Sequence, residues 1–333
     1  MLRIAQIGIG HDHASGILKE LKKQKDIFEI AGIYLPEEEK EFAYFYDTNL
    51  KEAEGIKRLT LDEILNDSTI KAVIIETSEK LLTKYALLAA QSGKHIHMDK
   101  PGGMELSEFE MLINTVKENK TVFHLGYMYR YNPAIVKLMQ EIKDGELGEI
   151  ISVEAQMSQI YDFTPRKRQW LEQFKGGMMF FLGCHLVDLV IGIKGVPDRI
   201  VPFNKSTGLE GVTADDFAMA VLEYKNGASF VRSCAREVHG SARRQLVVHG
   251  SKKTVEINPI EIPSIDGKFS AKIKYYQDEM CEITTESLAR YESMLKSFAE
   301  MAEGVRENPR SYDYELDVYK VVLKACGEAN LHV

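Results

Sequence analysis

Over the first 126 residues, short apolar runs alternate with amphipathic helix-like runs, and few folds accept that alternation. Residues 2–9 form a near-continuous apolar run, which suits a strand buried on both faces of a parallel sheet. The run leads into Gly8-Ile9-Gly10-His11-Asp12-His13-Ala14, after which Ile17, Leu18 and Leu21 recur at helical spacing. Further strand patterns occupy 28–35, 71–77, the short stretch after Gly93, and 121–126, with helix patterns at 81–91 and 106–118 between them. This alternation predicts a doubly wound parallel sheet with a ligand crevice at the carboxyl ends of its strands. Gly10, Thr77 and Lys100 all fall at such ends.

A strand, a glycine turn and a helix in that order form a cradle for a diphosphate, because backbone N–H groups at the helix start face the anion. Gly8 and Gly10 supply the turn, but His13 stands where G-x-G-x-x-G has its third glycine. His11 and His13 are expected either as hydrogen-bond donors near the phosphates or the substrate mouth, or as solvated loop residues. As H-x-H they suggest a metal site, but no accompanying acid or cysteine cluster is visible in the sequence, so no metal is expected. The second strand ends in Tyr34-Leu35-Pro36-Glu37-Glu38-Glu39. These acids would repel a ribose 2′-phosphate, which favours NAD over NADP as cofactor; alternatively they are an acidic helix start. Asp99-Lys100-Pro101 pins a lysine between an acid and a proline, and proline steers the preceding residue out of helix geometry. Lys100 can then present a cation to a developing alkoxide, although most lysines simply lie at the surface.

From residue 149 the pattern changes. Residues 149–160, 216–224, 228–235, 244–249 and 254–258 read as strands, and Lys225-Asn226-Gly227 signals a hairpin. A second domain with a large, mostly antiparallel, open-faced sheet is expected over 125–333, after a Rossmann domain over 1–124. Residues 178–193 read as a helix covering one sheet face. The other face must meet solvent or another subunit. Helices at 288–305 and 312–329 are expected to close this domain. Helical spacing puts Phe181, His185 and Asp188 on one face. His185 is the only residue of that run able to shuttle a proton near neutral pH, and Asp188 could orient its ring; a satisfied core histidine is the simpler alternative. Tyr129, Arg130, Tyr161, Arg168 and Trp170 are candidate substrate contacts, since aromatic faces stack on sugar rings and arginine grips hydroxyl or carboxylate oxygens. Ordinary core packing is the alternative for each aromatic.

A net charge of −8 argues against a nucleic-acid footprint or a basic membrane-binding face. No apolar segment is long enough to span a bilayer. The four cysteines are widely separated with no C-x-x-C pair, which fits reduced thiols in the cytoplasm.

In its ordered motifs the chain resembles the Gfo/Idh/MocA family of nicotinamide-dependent oxidoreductases. The motifs are the turn at Gly8 and Gly10, Gly93-Lys94-His95 leading to Asp99-Lys100-Pro101, the stretches 126–133 and 145–150, and Gly176-Gly177 through His185. The resemblance implies a Rossmann domain followed by an α/β domain with an open sheet, packed as a homodimer or homotetramer through that sheet. It implies Lys100 and His185 as the proton-handling pair at the nicotinamide. Three positions depart from the family pattern. Asp99 replaces the usual glutamate, Thr77-Ser78-Glu79 replaces Thr-Pro-Asn and so loses an amide that faces the cofactor, and Phe181 replaces a carboxylate four residues before the histidine. Phe181 would add an apolar wall to the substrate pocket. The expected reaction is reversible oxidation of a secondary alcohol on a sugar, cyclitol, related polyol or glycoside. The alternatives are a redox-neutral enzyme with tightly held NAD and a catalytically silent NAD- or sugar-binding protein.

Overall fold

The computed structural model describes residues 1–263, 268–277 and 280–328, with the backbone alone at 280. The chain forms two compact units, Met1–Tyr127 with Tyr291–Leu316, and Met128–Arg290 with the residues from Asp317 onward.

In the first unit five parallel strands, β1 (Leu2–Ile7), β2 (Phe28–Tyr34), β3 (Ala72–Ile75), β4 (His95–Met98) and β5 (Phe123–Leu125), lie in the order β2-β1-β3-β4-β5. Every residue of β3 is buried, as a strand with helices on both faces requires. The order reverses between β1 and β3, and ligands of such sheets bind outside the carboxyl ends at this switch point. The helix Ala14–Lys23 follows the glycine turn and buries Ala14, Ile17, Leu18 and Leu21, the stripe anticipated from spacing. Helix Leu82–Gln91 is followed by Gly93 at φ +70°, a left-handed position that glycine adopts without strain.

Residues 291–316 correct the expected boundary, because they pack on this first unit instead of closing the second. The cause is aromatic and polar matching. Phe298 stacks on His124 and packs against His97, with ring centroids 5.7 Å apart in both cases. The Tyr312 hydroxyl donates to the Thr121 carbonyl at 2.6 Å and accepts from the Phe123 N–H at 3.2 Å. The two expected helices are Glu292–Ala302 and Tyr312–Ala325; residue 329 lies outside the described residues.

The second unit carries a nine-stranded sheet. Its strands are β6 (Ile150–Ser158), β7 (Arg199–Pro202), β8 (Phe217–Tyr224), β9 (Gly227–Cys234), β10 (Gln245–Gly250), β11 (Thr254–Ile257), β12 (Ile262–Pro263), β13 (Phe269–Gln277) and β14 (Met280–Leu288). All pairings are antiparallel except β6 with β9. Tyr224 pairs with Gly227, so Lys225-Asn226 is the two-residue hairpin loop. β7, β12, β13 and β14 were not among the expected strands. In β13 the signal was nevertheless present: Phe269, Ala271, Ile273 and Tyr275 alternate with Ser270, Lys272 and Lys274, and Ala271 and Ile273 are the buried residues.

The expected helix over 178–193 is not uniform. Met179–Gly183 is a π-helical turn, and the α-helix Cys184–Lys194 follows. Gly183 ends that turn packed against Met179, whose Sδ would lie 2.5 Å from a Cβ there. The π turn shifts the register between 181 and 185, so Phe181 leaves the predicted face, which His185 and Asp188 still share by i, i+3 spacing.

Candidate functional site

In the first unit the chain-end residues of β1, β3 and β4 meet in a buried polar cluster. The glycine turn lies directly on the end of β3. A Cβ at Gly8, whose φ is +82°, would come within 2.4 Å of Thr77 Cγ2, and one at Gly10 within 2.6 Å of the Ser78 nitrogen. Backbone packing alone therefore demands glycine at both positions. Asn49 holds the turn from the other side, its side-chain amide donating to the Ile9 and His11 carbonyls at 2.9 and 2.7 Å.

Glu39 changes the expected picture of the acidic run after β2. It turns inward and is fully buried, accepting from the Ile9 N–H at 2.9 Å and the Ser78 N–H at 3.2 Å. Burial pushes its pKa up to about 7 in spite of these donors. Glu38 instead pairs with Lys84 and accepts from the Tyr85 hydroxyl. The stretch is neither a plain acidic helix start nor a uniform row of charges facing a ribose.

His11 donates from Nε2 to the Lys100 carbonyl at 3.0 Å. Its Nδ1 lies 3.1 Å from Asp12 Oδ1 and 3.4 Å from Asp99 Oδ2. Burial lowers its pKa to about 4. His13 Nδ1 lies 3.1 and 3.2 Å from the two Asp99 oxygens. These histidines are buried, not solvated, and the fold supplies the acids missing beside H-x-H in the sequence. Lys100 is fully buried; its N–H donates to Asp99 Oδ1 at 2.7 Å and its Nζ stands 3.4 Å from Asp12 Oδ1. Burial opposes ionisation of Asp99, but His11, His13 and Lys100 outweigh it and hold the pKa well down. Glu76 goes the other way, raised by burial and then by Asp99. Burial likewise takes Glu79 up to about 8. The sequence does not single out Asp12, Asn49 or Glu76, and it reads Glu39 only as one of three acids after β2; an acid continuing the apolar run of β3 is the available signal for Glu76.

In the second unit His185 is buried and its ring meets that of Tyr129 edge-on, 5.2 Å between centroids. Tyr129 is tied into a buried ionic network. Its hydroxyl donates to Glu261 Oε1 at 2.7 Å and accepts from Arg244 Nη1 at 3.0 Å, while Arg244 and Arg290 pair with Glu261. Arg130 grips Asp188 through Nη2 at 2.7 Å and Nε at 3.0 Å. The carboxylate expected to orient His185 is thus clamped by a residue expected to bind substrate. Phe181 packs edge-on against Trp170 at 4.7 Å and stacks with Phe174. Both Phe181 and Trp170 are core residues. Arg168 donates to the Phe163 and Glu210 carbonyls, and Lys167 caps the Tyr161 ring at 4.1 Å. Arg130 is thus held by Asp188 and the half-buried Arg168 by two backbone carbonyls, while Trp170 and Phe181 pack in the core.

A parallel α/β unit with a glycine turn at its switch point, followed by a largely antiparallel sheet, defines a Rossmann-type nucleotide-binding protein with an appended α/β domain. Comparison with known proteins narrows the class. Residues 2–127 match the family model described as oxidoreductase family, NAD-binding Rossmann fold, and residues 135–256 match the GFO/IDH/MocA C-terminal domain. The chain belongs to the Gfo/Idh/MocA family of oxidoreductases. Among its relatives is levoglucosan dehydrogenase of Pseudarthrobacter phenanthrenivorans, 25% identical over 61% of this chain and 60% of that protein. Another is 2,7-anhydro-N-acetylneuraminate hydratase of Escherichia coli, 21% identical over 78% of this chain and 68% of that protein. The solved structure of UDP-N-acetylglucosamine 3-dehydrogenase from Acidithiobacillus ferrooxidans shares the fold, with a TM-score of 0.74 and 19% identity over 97% of this chain and 96% of that one.

The site accommodates a dinucleotide in part. The turn at Gly8 and Gly10 opens a helix with no acid in its first turn, but Asp12 stands just before the His13 N-cap and Asp99 against the His13 ring. Glu39 is likewise out of keeping with an anion there, since it already accepts from two backbone N–H groups of the cradle. Among the described residues no helix is long and apolar enough to cross a membrane.

Proposed function

We propose that the chain is an NAD(P)-dependent oxidoreductase that acts on a secondary alcohol of a sugar or related polyol. One observation carries this: Lys100 is wholly buried directly after β4, with its own N–H anchored on Asp99. A lysine held in this way is a preorganised cation, and such donors are worth most where water is excluded. Bound NAD(P) would supply the hydride acceptor or donor. The turn at Gly8 and Gly10 would hold it, together with Thr77 beyond β3 and Asp99-Lys100-Pro101 beyond β4. Lys100 would stabilise negative charge on the alcohol oxygen. His185 would take the hydroxyl proton in oxidation and return it in reduction, a role typically worth about 10²- to 10⁴-fold. Levoglucosan dehydrogenase, a relative named for a sugar substrate, supports the substrate class.

The acids after β2 favour NAD over NADP only weakly, because Glu37 is paired with Lys40 and Glu38 with Lys84. Exposed Ile151 on β6 and Ile283 on β14 support assembly of copies through the second unit's sheet. Four free cysteines support a reducing compartment such as the cytoplasm. The test is a screen of sugars, polyols and glycosides with NAD and NADP, following reduced-nicotinamide absorbance and, separately, cofactor binding by calorimetry. Failure to bind either cofactor refutes the proposal. The hydratase relative favours a second reading, in which substrate is consumed with no net change in the nicotinamide. Conversion seen by chromatography without accumulation of reduced cofactor distinguishes that case.

A further inference from the structure

The cluster beyond β1, β3 and β4 holds four carboxyl groups, Asp12, Glu76, Glu79 and Asp99, with one ammonium, Lys100, and two imidazoles. Burial raises the Glu76 and Glu79 carboxyls toward their neutral forms, so the acids that need a cation here are Asp12 and Asp99. The arrangement around the imidazoles is more specific. His11 commits its Nε2–H to the Lys100 carbonyl, so Nδ1 carries the ring's lone pair. That nitrogen accepts from the His13 N–H at 3.3 Å and also faces Asp12 Oδ1 at 3.1 Å and Asp99 Oδ2 at 3.4 Å, both of them acceptors. His13 Nδ1 closes the set at 3.1 Å from the same Asp99 oxygen. The three ligand atoms lie within 4.8 Å of one another.

We propose that His11 Nδ1, His13 Nδ1 and the Asp99 carboxylate bind a divalent transition-metal ion, with Asp12 as the fourth donor at its open side. Ligand atoms about 2.1 Å from a tetrahedral zinc ion are about 3.4 Å apart, close to the spacings found here. A backbone carbonyl fixing the tautomer of a ligating histidine is the usual outer-shell partner, and His11 has one in Lys100. Behind Asp99, both oxygens of Glu76 are buried without a hydrogen-bond partner among the described residues, and burial beside Asp99 makes it a neutral acid next to the proposed ligand. Two imidazoles with carboxylates suit zinc, iron(II), cobalt(II) or manganese(II) better than magnesium or calcium. With three of its donors buried, the ion would tie the β1 turn to the end of β4.

The test uses the full chain without a histidine tag, stripped with a chelator and titrated with cobalt(II) while its visible d–d absorption is followed, then displaced with zinc. The expected result is one ion per chain, a raised melting temperature, and affinity lowered at least about tenfold in Asp99→Asn and His13→Gln. The exposed His239→Gln should bind as the parent does. Circular dichroism shows whether each variant is folded. Should neither fold, zinc-edge X-ray absorption of the unmutated protein decides, because the site requires two imidazoles plus oxygen donors. Absence of stoichiometric binding, unchanged affinity in a folded variant, or a first shell with fewer than two imidazoles overturns the proposal. None of these readouts depends on dehydrogenase activity.

Discussion

Replacing Glu39 with glutamine removes a titration that the fold has displaced. The carboxyl is fully buried, and its pKa moves from the ordinary 4.5 to about 7 because burial penalises the charge more than the Ile9 and Ser78 N–H groups reward it. With the folded pKa raised, the unfolded chain gives up its proton first as pH rises. The stabilising effect is therefore complete below pH 4.5 and is lost progressively up to about pH 7. Each pH unit in that window is worth about 1.4 kcal/mol, or about 3 kcal/mol in all. Glutamine removes the titration, but its NH2 sets a donor against one of the two backbone N–H groups, which a protonated carboxyl oxygen still satisfies. The variant should therefore be less stable than the parent at pH 4, and the difference should shift in its favour by about 3 kcal/mol between pH 4 and pH 8. Urea unfolding followed by far-ultraviolet circular dichroism at a series of pH values measures this. Trp170, the single tryptophan, belongs to the second unit, so its fluorescence is the wrong probe for a change in the first. Equal pH slopes in the two proteins between pH 4 and pH 8 would refute the reasoning.

Lys100→Met and His185→Ala should each lower kcat by about 10²-fold or more while leaving cofactor affinity within a few fold; unchanged turnover removes the residue from the mechanism. Arg130→Ala strands the buried Asp188 carboxylate and should cost about 3–5 kcal/mol in chemical unfolding, with partial recovery in Arg130→Lys. Phe181→Ala empties a slot between Trp170 and Phe174 and should cost about 3–5 kcal/mol. A much smaller loss would return Phe181 to the list of substrate-wall candidates.

Periodicity and punctuation determined the first unit almost completely. The apolar run of β1, the glycines at 8 and 10, the glycine at 93 and the helical stripe of Ile17, Leu18 and Leu21 are local signals, each sufficient for its own element. They also located Lys100, because an Asp-Lys-Pro tripeptide ending a buried strand has few places to go. What stayed hidden depended on partners distant along the chain. Glu39 reads as one of three equivalent acids until Ile9 and Ser78 offer it N–H groups. His11 and His13 read as a bare H-x-H until Asp99, 86 residues further on from His13, closes against them. Arg130 and Asp188 read as two functional residues until they meet each other. The return of Phe298 and Tyr312 to the first unit likewise has no local cue. A local pattern decides which face of an element is apolar, but the pairing of a buried charge is settled by whatever group the fold brings within about 3 Å of it, since only that contact offsets its desolvation.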